Sequence, residues 1–168
     1  MITVGPVLFI IGLLMSLLAV AMGLPAIADL ATGNPDWQVF AGSAAVSLFV
    51  GVSLMLTTRS TSMTNLNLRQ AFLLTTMSWV AVAAVGALPF AFSELEISVA
   101  DAFFESMSGI TTTGSTIIVG LDNAPPGILL WRALLQWLGG VGIIVMAMAM
   151  LPILLSLIHI SEPTRQAM

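Results

Sequence analysis

Residues 111–116, TTTGST, are the stretch whose residue types best suit chemistry. That chemistry is not covalent. Backbone carbonyls are oxygen donors, and at membrane depth they are the material of an ion filter. Gly114 can adopt backbone angles closed to other residues. It would let the carbonyls of Thr112, Thr113, Gly114 and Ser115 point one way, toward a cation. Read alone, the same six residues also make an ordinary turn. Just upstream, Asp101 and Glu105 stand four apart, on one face of a helix. An intramembrane carboxylate is a functional-site candidate by default. These two acids either contact an ion or pair with Arg132, and a scaffold pair with one of them is the favoured reading. No nucleophile–histidine pair stands outside the C-terminal tail. Cysteine is absent and no cluster has metal-ligand spacing, so an enzyme is the weakest class.

The elements that must hold this turn are apolar. Of 168 residues 58% are hydrophobic and only 7% charged, and mean hydropathy is +1.08. A soluble domain carries about 25% charged residues, so this is an integral membrane protein whose first partner is the lipid bilayer. The positive charges are all arginine, and the net charge of −4 is spread over loops and names no partner. No basic patch with interleaved aromatics exists, which argues against nucleic acid.

Four apolar runs, 2–22, 37–56, 71–90 and 128–151, are each long enough to cross a bilayer. The first lacks a basic start and a small-residue cleavage site, so it reads as a retained span and not a signal peptide. Gly23 and Pro25 are expected to break its helix, followed by a loop with Asp29 and Asp36. Small residues including Gly42, Ser47 and Gly51 prepare the second run for close packing. Pro89 is expected to mark the end of the third. Between the third and fourth runs, residues 98–110 read as a short amphipathic helix. Ser98 and Asp101 form a capping-box-like start. A helix of about 11 residues rises roughly 16 Å, half the hydrocarbon core, so it can dip in and return. Non-helical backbone at that depth survives only when buried in protein or lining water. Trp131 reads as an interface anchor and Trp137 as a packing residue. Gly139, Gly140 and Gly142 read as close packing of the fourth span, or as a bend.

The fold class expected is an all-α membrane protein with four transmembrane helices, one re-entrant pore helix and a filter loop. Residues 1–70 hold two N-terminal spans and 71–155 one span–pore loop–span unit. Arg59 and Arg69 put the second loop, and with it the N-terminus, in the cytoplasm. Residues 156–168, SLIHISEPTRQAM, crowd the single histidine, an acid and an arginine together without pattern. They read as a tail foreign to the rest, resembling adaptor read-through.

Two motifs are specific together: DAFFES with SGITTTG over 101–114, and WRxxxQWxGGxGI over 131–143. They make residues 1–155 resemble the Trk/Ktr/HKT potassium-uptake family, above all its bacterial Trk-type membrane subunit. The resemblance implies four such units around one pore, of which this chain holds the first, preceded by two extra spans. It also implies K⁺ as the transported ion without a bound cofactor, and a filter glycine in each unit that selects K⁺ over Na⁺. It implies too a homodimer in the bacterial inner membrane and a cytoplasmic nucleotide-binding regulatory subunit. The carbonyl mechanism is that of the related TVGYG loop of potassium channels. A fragment of this kind would be inactive alone. The competing reading is a small scaffold protein of the membrane that transports nothing. A scaffold has no need of unpaired carbonyls at membrane depth.

Overall fold

The computed structural model describes residues 4–59 and 68–160. The middle of the second loop and the tail from residue 161 lie outside the described residues. Within them the chain is helical: α1 (Gly5–Ala21), α2 (Gly23–Thr32), α3 (Trp37–Thr58), α4 (Leu68–Phe92), α5 (Val99–Ile110) and α6 (Pro126–Ile160), with a 3₁₀ turn at Leu121–Asn123. Four helical stretches, Gly5–Thr32, Trp37–Thr58, Arg69–Phe92 and Pro126–Val145, are long and apolar enough to cross a membrane. The protein is a multi-pass membrane protein.

Three helix ends differ from the sequence expectation. Gly23 and Pro25 do not break the first span. Met22 keeps helical angles (φ −62°, ψ −18°). The Met22 N–H bonds to the Leu18 carbonyl at 3.0 Å, and the Ala26 N–H to the Met22 carbonyl at 3.2 Å. Pro25 falls in the first turn of α2, where a missing N–H matters least. Asp29 therefore lies on a helix and not in a loop. Pro89 sits inside α4; the helix runs on to Phe92, and Ser93 still donates to the Pro89 carbonyl at 3.1 Å. Pro152, just past the fourth apolar run of 128–151, does not end its helix: it lies within α6, whose backbone continues to Ile160.

α1 and α3 cross at small residues. A Cβ on Gly12 would come within 2.6 Å of the Gly51 carbonyl oxygen. Helices meet this closely only where no side chain intervenes, and in lipid such contact drives association. A cavity of about 490 Å³, lined among others by Leu14, Leu18, Trp79, Val82, Ile110 and Leu138, lies between α1, α4 and α6.

The first half of α6 organises the rest. Gly127, Trp131, Leu135 and Gly139 recur every four residues, so they share one face, and all four are buried. Between them they meet α2, α3, α4 and α5. The Gly127 N–H donates to Asp29 Oδ1 of α2 at 2.6 Å. Asp29 is fully buried, and its carboxylate faces the positive end of the α6 dipole. Trp131, also fully buried, donates its indole N–H to the Gly86 carbonyl of α4 at 2.9 Å. Its ring meets Phe40 of α3 edge-on, centroids 6.3 Å apart. Leu135 packs on Gly109 of α5 and Gly86 of α4. Trp131 is thus no interface anchor, while Trp137, expected to pack, stands 65% exposed among the described residues. Its position, two beyond Leu135, turns it off the buried face.

Candidate ion-filter site

The short helix starts as its sequence indicates. Ser98 accepts the Asp101 N–H at 3.1 Å and returns its own hydroxyl proton to Asp101 Oδ2 at 2.7 Å. A glutamate here would reach the backbone N–H of the cap. Aspartate, one methylene shorter, takes the serine hydroxyl instead. Asp101 is exposed and engaged in this cap.

α5 ends at Ile110 in a Schellman motif. The Thr112 N–H bonds to the Gly109 carbonyl at 3.0 Å and the Thr113 N–H to the Ser108 carbonyl at 3.0 Å. The motif demands a left-handed residue after the cap, normally glycine. Here it is Thr112, at φ +58°. A β-branched residue in that region is a real outlier, and strain of this kind gathers at functional sites. Gly114 follows at φ +78°. Two left-handed residues flanking Thr113 turn the chain back on itself. The Thr111 hydroxyl lies 2.8 Å from the Thr113 hydroxyl and donates to the Met107 carbonyl at 2.8 Å. Among the described residues, no N–H or hydroxyl is directed at the carbonyls of Thr112, Thr113 or Gly114, which lie on an exposed turn. The Ser115 carbonyl differs: it accepts the Ser108 hydroxyl at 2.6 Å.

Glu105 fastens the turn to its surroundings. It is 1% exposed. One carboxylate oxygen pairs with Arg132 Nε of α6. The other accepts the Thr116 hydroxyl and the Ile117 N–H, each at 3.1 Å. The Thr116 hydroxyl in turn accepts the Ile118 N–H at 3.1 Å. A carboxylate buried with this many donors is held in one place. Of the two acids the sequence offers to Arg132, the structure pairs Glu105. Asp101 is absorbed by the N-cap.

α6 closes over the turn. A Cβ on Gly139 would run into the Ile110 carbonyl, its carbon only 2.7 Å away. Gly140 faces the Thr112 methyl, 3.9 Å from where its own Cβ would stand, and Gly142 faces nothing within 4 Å. The Gln136 side-chain nitrogen lies 3.8 Å from where a Cβ on Gly114 would be. Ser108, Thr116 and Gln136 fall inside the sequence motifs without a role of their own there, and the structure gives each a place in this assembly. The four-residue stripe on α6 would have drawn attention to the helix that carries Gln136. Nothing local marks Ser108, because its partner stands beyond the turn.

Two spans with a half-length helix between them, ending in an open turn clamped to the second span, define a helical membrane protein of the span–re-entrant helix–span class. A family model described as TrkH, cation transport protein, matches residues 36–158, and the chain belongs to that family. It is 44% identical over 146 residues to the Trk system potassium uptake protein TrkH of Escherichia coli strain K12, covering 86% of this chain and 30% of that protein. To the Trk system potassium uptake protein TrkI of Halomonas elongata it is 39% identical over 150 residues, covering 89% and 30%. The crystal structure of the potassium transporter TrkH from Vibrio parahaemolyticus superposes with a TM-score of 0.85 at 41% identity, covering 90% of this chain and 32% of that one. The chain thus spans about three tenths of the length of the relatives it matches.

Proposed function

We propose that this chain forms one wall of a K⁺ uptake pathway and offers the carbonyls of Thr112, Thr113 and Gly114 to the ion. The observation that carries the reading is the open turn: exposed carbonyls with no donor directed at them among the described residues, at the end of a half-length helix between two spans. The partial negative charge at the C-terminus of α5 favours a cation in the same place. The names of the relatives as potassium uptake proteins support the choice of ion. Permeation of this kind replaces water around the ion by carbonyl oxygens and needs no covalent step. One unit closes no ring, so the chain as it stands is inactive until further units complete the pore. The working form is a homodimer in the bacterial inner membrane, with the N-terminus and the arginine-bearing second loop in the cytoplasm. A cytoplasmic nucleotide-binding subunit regulates it.

The test is a chimaera of the E. coli relative in which the 146 matching residues are replaced by those of this chain. Expressed in cells lacking K⁺ uptake, it should restore growth at low K⁺. Gly114→Ser, which forces a side chain onto a backbone at φ +78°, should abolish that rescue while the protein still reaches the membrane. Growth unaffected by the substitution would refute the filter assignment.

A further inference from the structure

Ser108 joins both limbs of the turn. It stands in the last full turn of α5 and is 6% exposed. Its carbonyl takes the Thr113 N–H at 3.0 Å and the Gly114 N–H at 3.4 Å. Its hydroxyl donates to the Ser115 carbonyl at 2.6 Å, seven residues ahead. A serine within a helix ordinarily returns its hydroxyl to the carbonyl four residues back. Thr111 does this with Met107, and Ser47 with Ser43 at 2.6 Å. Ser108 gives up that local bond because Thr112 and Gly114, both left-handed, bring the Ser115 carbonyl over the end of its own helix. The segment beyond cannot drift away, since Glu105 holds Thr116 and Ile117 at 3.1 Å.

The selectivity of a carbonyl filter depends on how many dipoles face the ion and how strong their field is. A carbonyl already receiving a short hydroxyl bond is turned toward that donor. We infer that Ser108 withholds the Ser115 carbonyl from the ion path, so that this unit presents three carbonyls, and that Ser108 is thereby a specificity-determining positioning residue. The inference rests on the filter reading. Removing the hydroxyl leaves the Ser115 carbonyl unpaired on the exposed turn. The carbonyl is then free to swing toward the ion and add a fourth dipole to a site shaped for three.

The experiment measures K⁺ and Na⁺ uptake by the chimaera and its Ser108 variants. Ser108→Ala is expected to lower the K⁺/Na⁺ ratio roughly fivefold, about the worth of one ordinary hydrogen bond. Ser108→Thr keeps a hydroxyl and should keep the ratio. If Ser108→Ala fails to reach the membrane, Ser108→Cys replaces it, with a weaker donor in nearly the same volume, and the same fall is expected. An unsubstituted chimaera that transports no K⁺ would overturn the filter reading and this inference with it. A selective chimaera whose ratio is the same with serine and alanine would overturn the role of Ser108 alone. So would an equal loss in the alanine and threonine variants, or a fall in rate with the ratio unchanged.

Discussion

Gly139 of α6 lies with its Cα against the carbonyl group of Ile110, the residue at which α5 ends. A side chain at 139 has no room there: its Cβ would stand 2.7 Å from the Ile110 carbonyl carbon and nearer still to the oxygen. The neighbour is backbone, held by the Schellman turn, and cannot swing aside as a side chain would. Gly139→Ala must therefore push α6 off the turn. K⁺ uptake by the chimaera is expected to fall at least tenfold, because a misplacement of about 1 Å is enough to spoil a positioned site. Gly142→Ala, three residues from Gly139 and facing nothing within 4 Å, should leave uptake within about twofold. Equal effects of the two substitutions would show that the contact does not matter.

The Glu105–Arg132 pair calls for a different experiment. Its carboxylate has no solvent exposure and its guanidinium little. Removing one partner of a buried pair leaves an uncompensated charge, at a cost of about 3–5 kcal/mol, whereas removing both is far milder. Glu105→Gln also weakens the hold on Thr116 and Ile117. We expect Glu105→Gln and Arg132→Gln each to reduce folded protein in the membrane severely. The double variant should recover part of that loss. The check is a double-mutant cycle on thermal unfolding in detergent. Additive losses would mean that the two groups do not interact.

How much of this was legible in the sequence follows from the range of each interaction. The four spans and the short helix rest on hydropathy and local capping, so Ser98 and Asp101 announced the start of α5 in their own spacing. The glycine at 114 announced a left-handed residue. Thr112 did not, because a β-branched residue at positive φ is held there by a motif whose bonds span five residues, against its own preference. The burial of Trp131 was not legible. An indole N–H satisfied by a carbonyl on another helix looks, in sequence, the same as one satisfied at the membrane surface. Asp29 was read as a loop acid because its partner, the Gly127 N–H, lies 98 residues away.

Thr112 supplies a stability prediction. A left-handed threonine is strained by about 1–2 kcal/mol. Thr112→Gly relieves that strain but loses the methyl group that faces Gly140. The expected net effect is a gain of about 1 kcal/mol in unfolding free energy, offset in part by the greater entropy of glycine in the unfolded chain. Thermal unfolding of the purified chain checks this. A clear loss of stability would mean that the methyl contact outweighs the strain.

Asp36 gives the chain a pH dependence outside its spans. It is buried, one of its carboxylate oxygens has no partner among the described residues, and its backbone N–H is bonded to Asn34 at 2.9 Å. Burial raises its carboxyl above the ordinary aspartate value. The Glu94 backbone N–H, which donates to it, works in the opposite direction, and the charges of Glu94 and Asp29 add to the rise. The folded chain therefore keeps a proton that the unfolded chain has already lost. Where the folded state binds more protons, stability falls as pH rises. The contribution of Asp36 is fully present below the ordinary value of 3.8 and is lost as pH climbs through the raised one. Asp36→Asn keeps the shape without the charge. It should raise the unfolding temperature near neutral pH and flatten its fall as pH rises above the ordinary aspartate value of 3.8. An unchanged slope in the asparagine variant would assign the pH dependence to another group, with Asp29 the next to substitute.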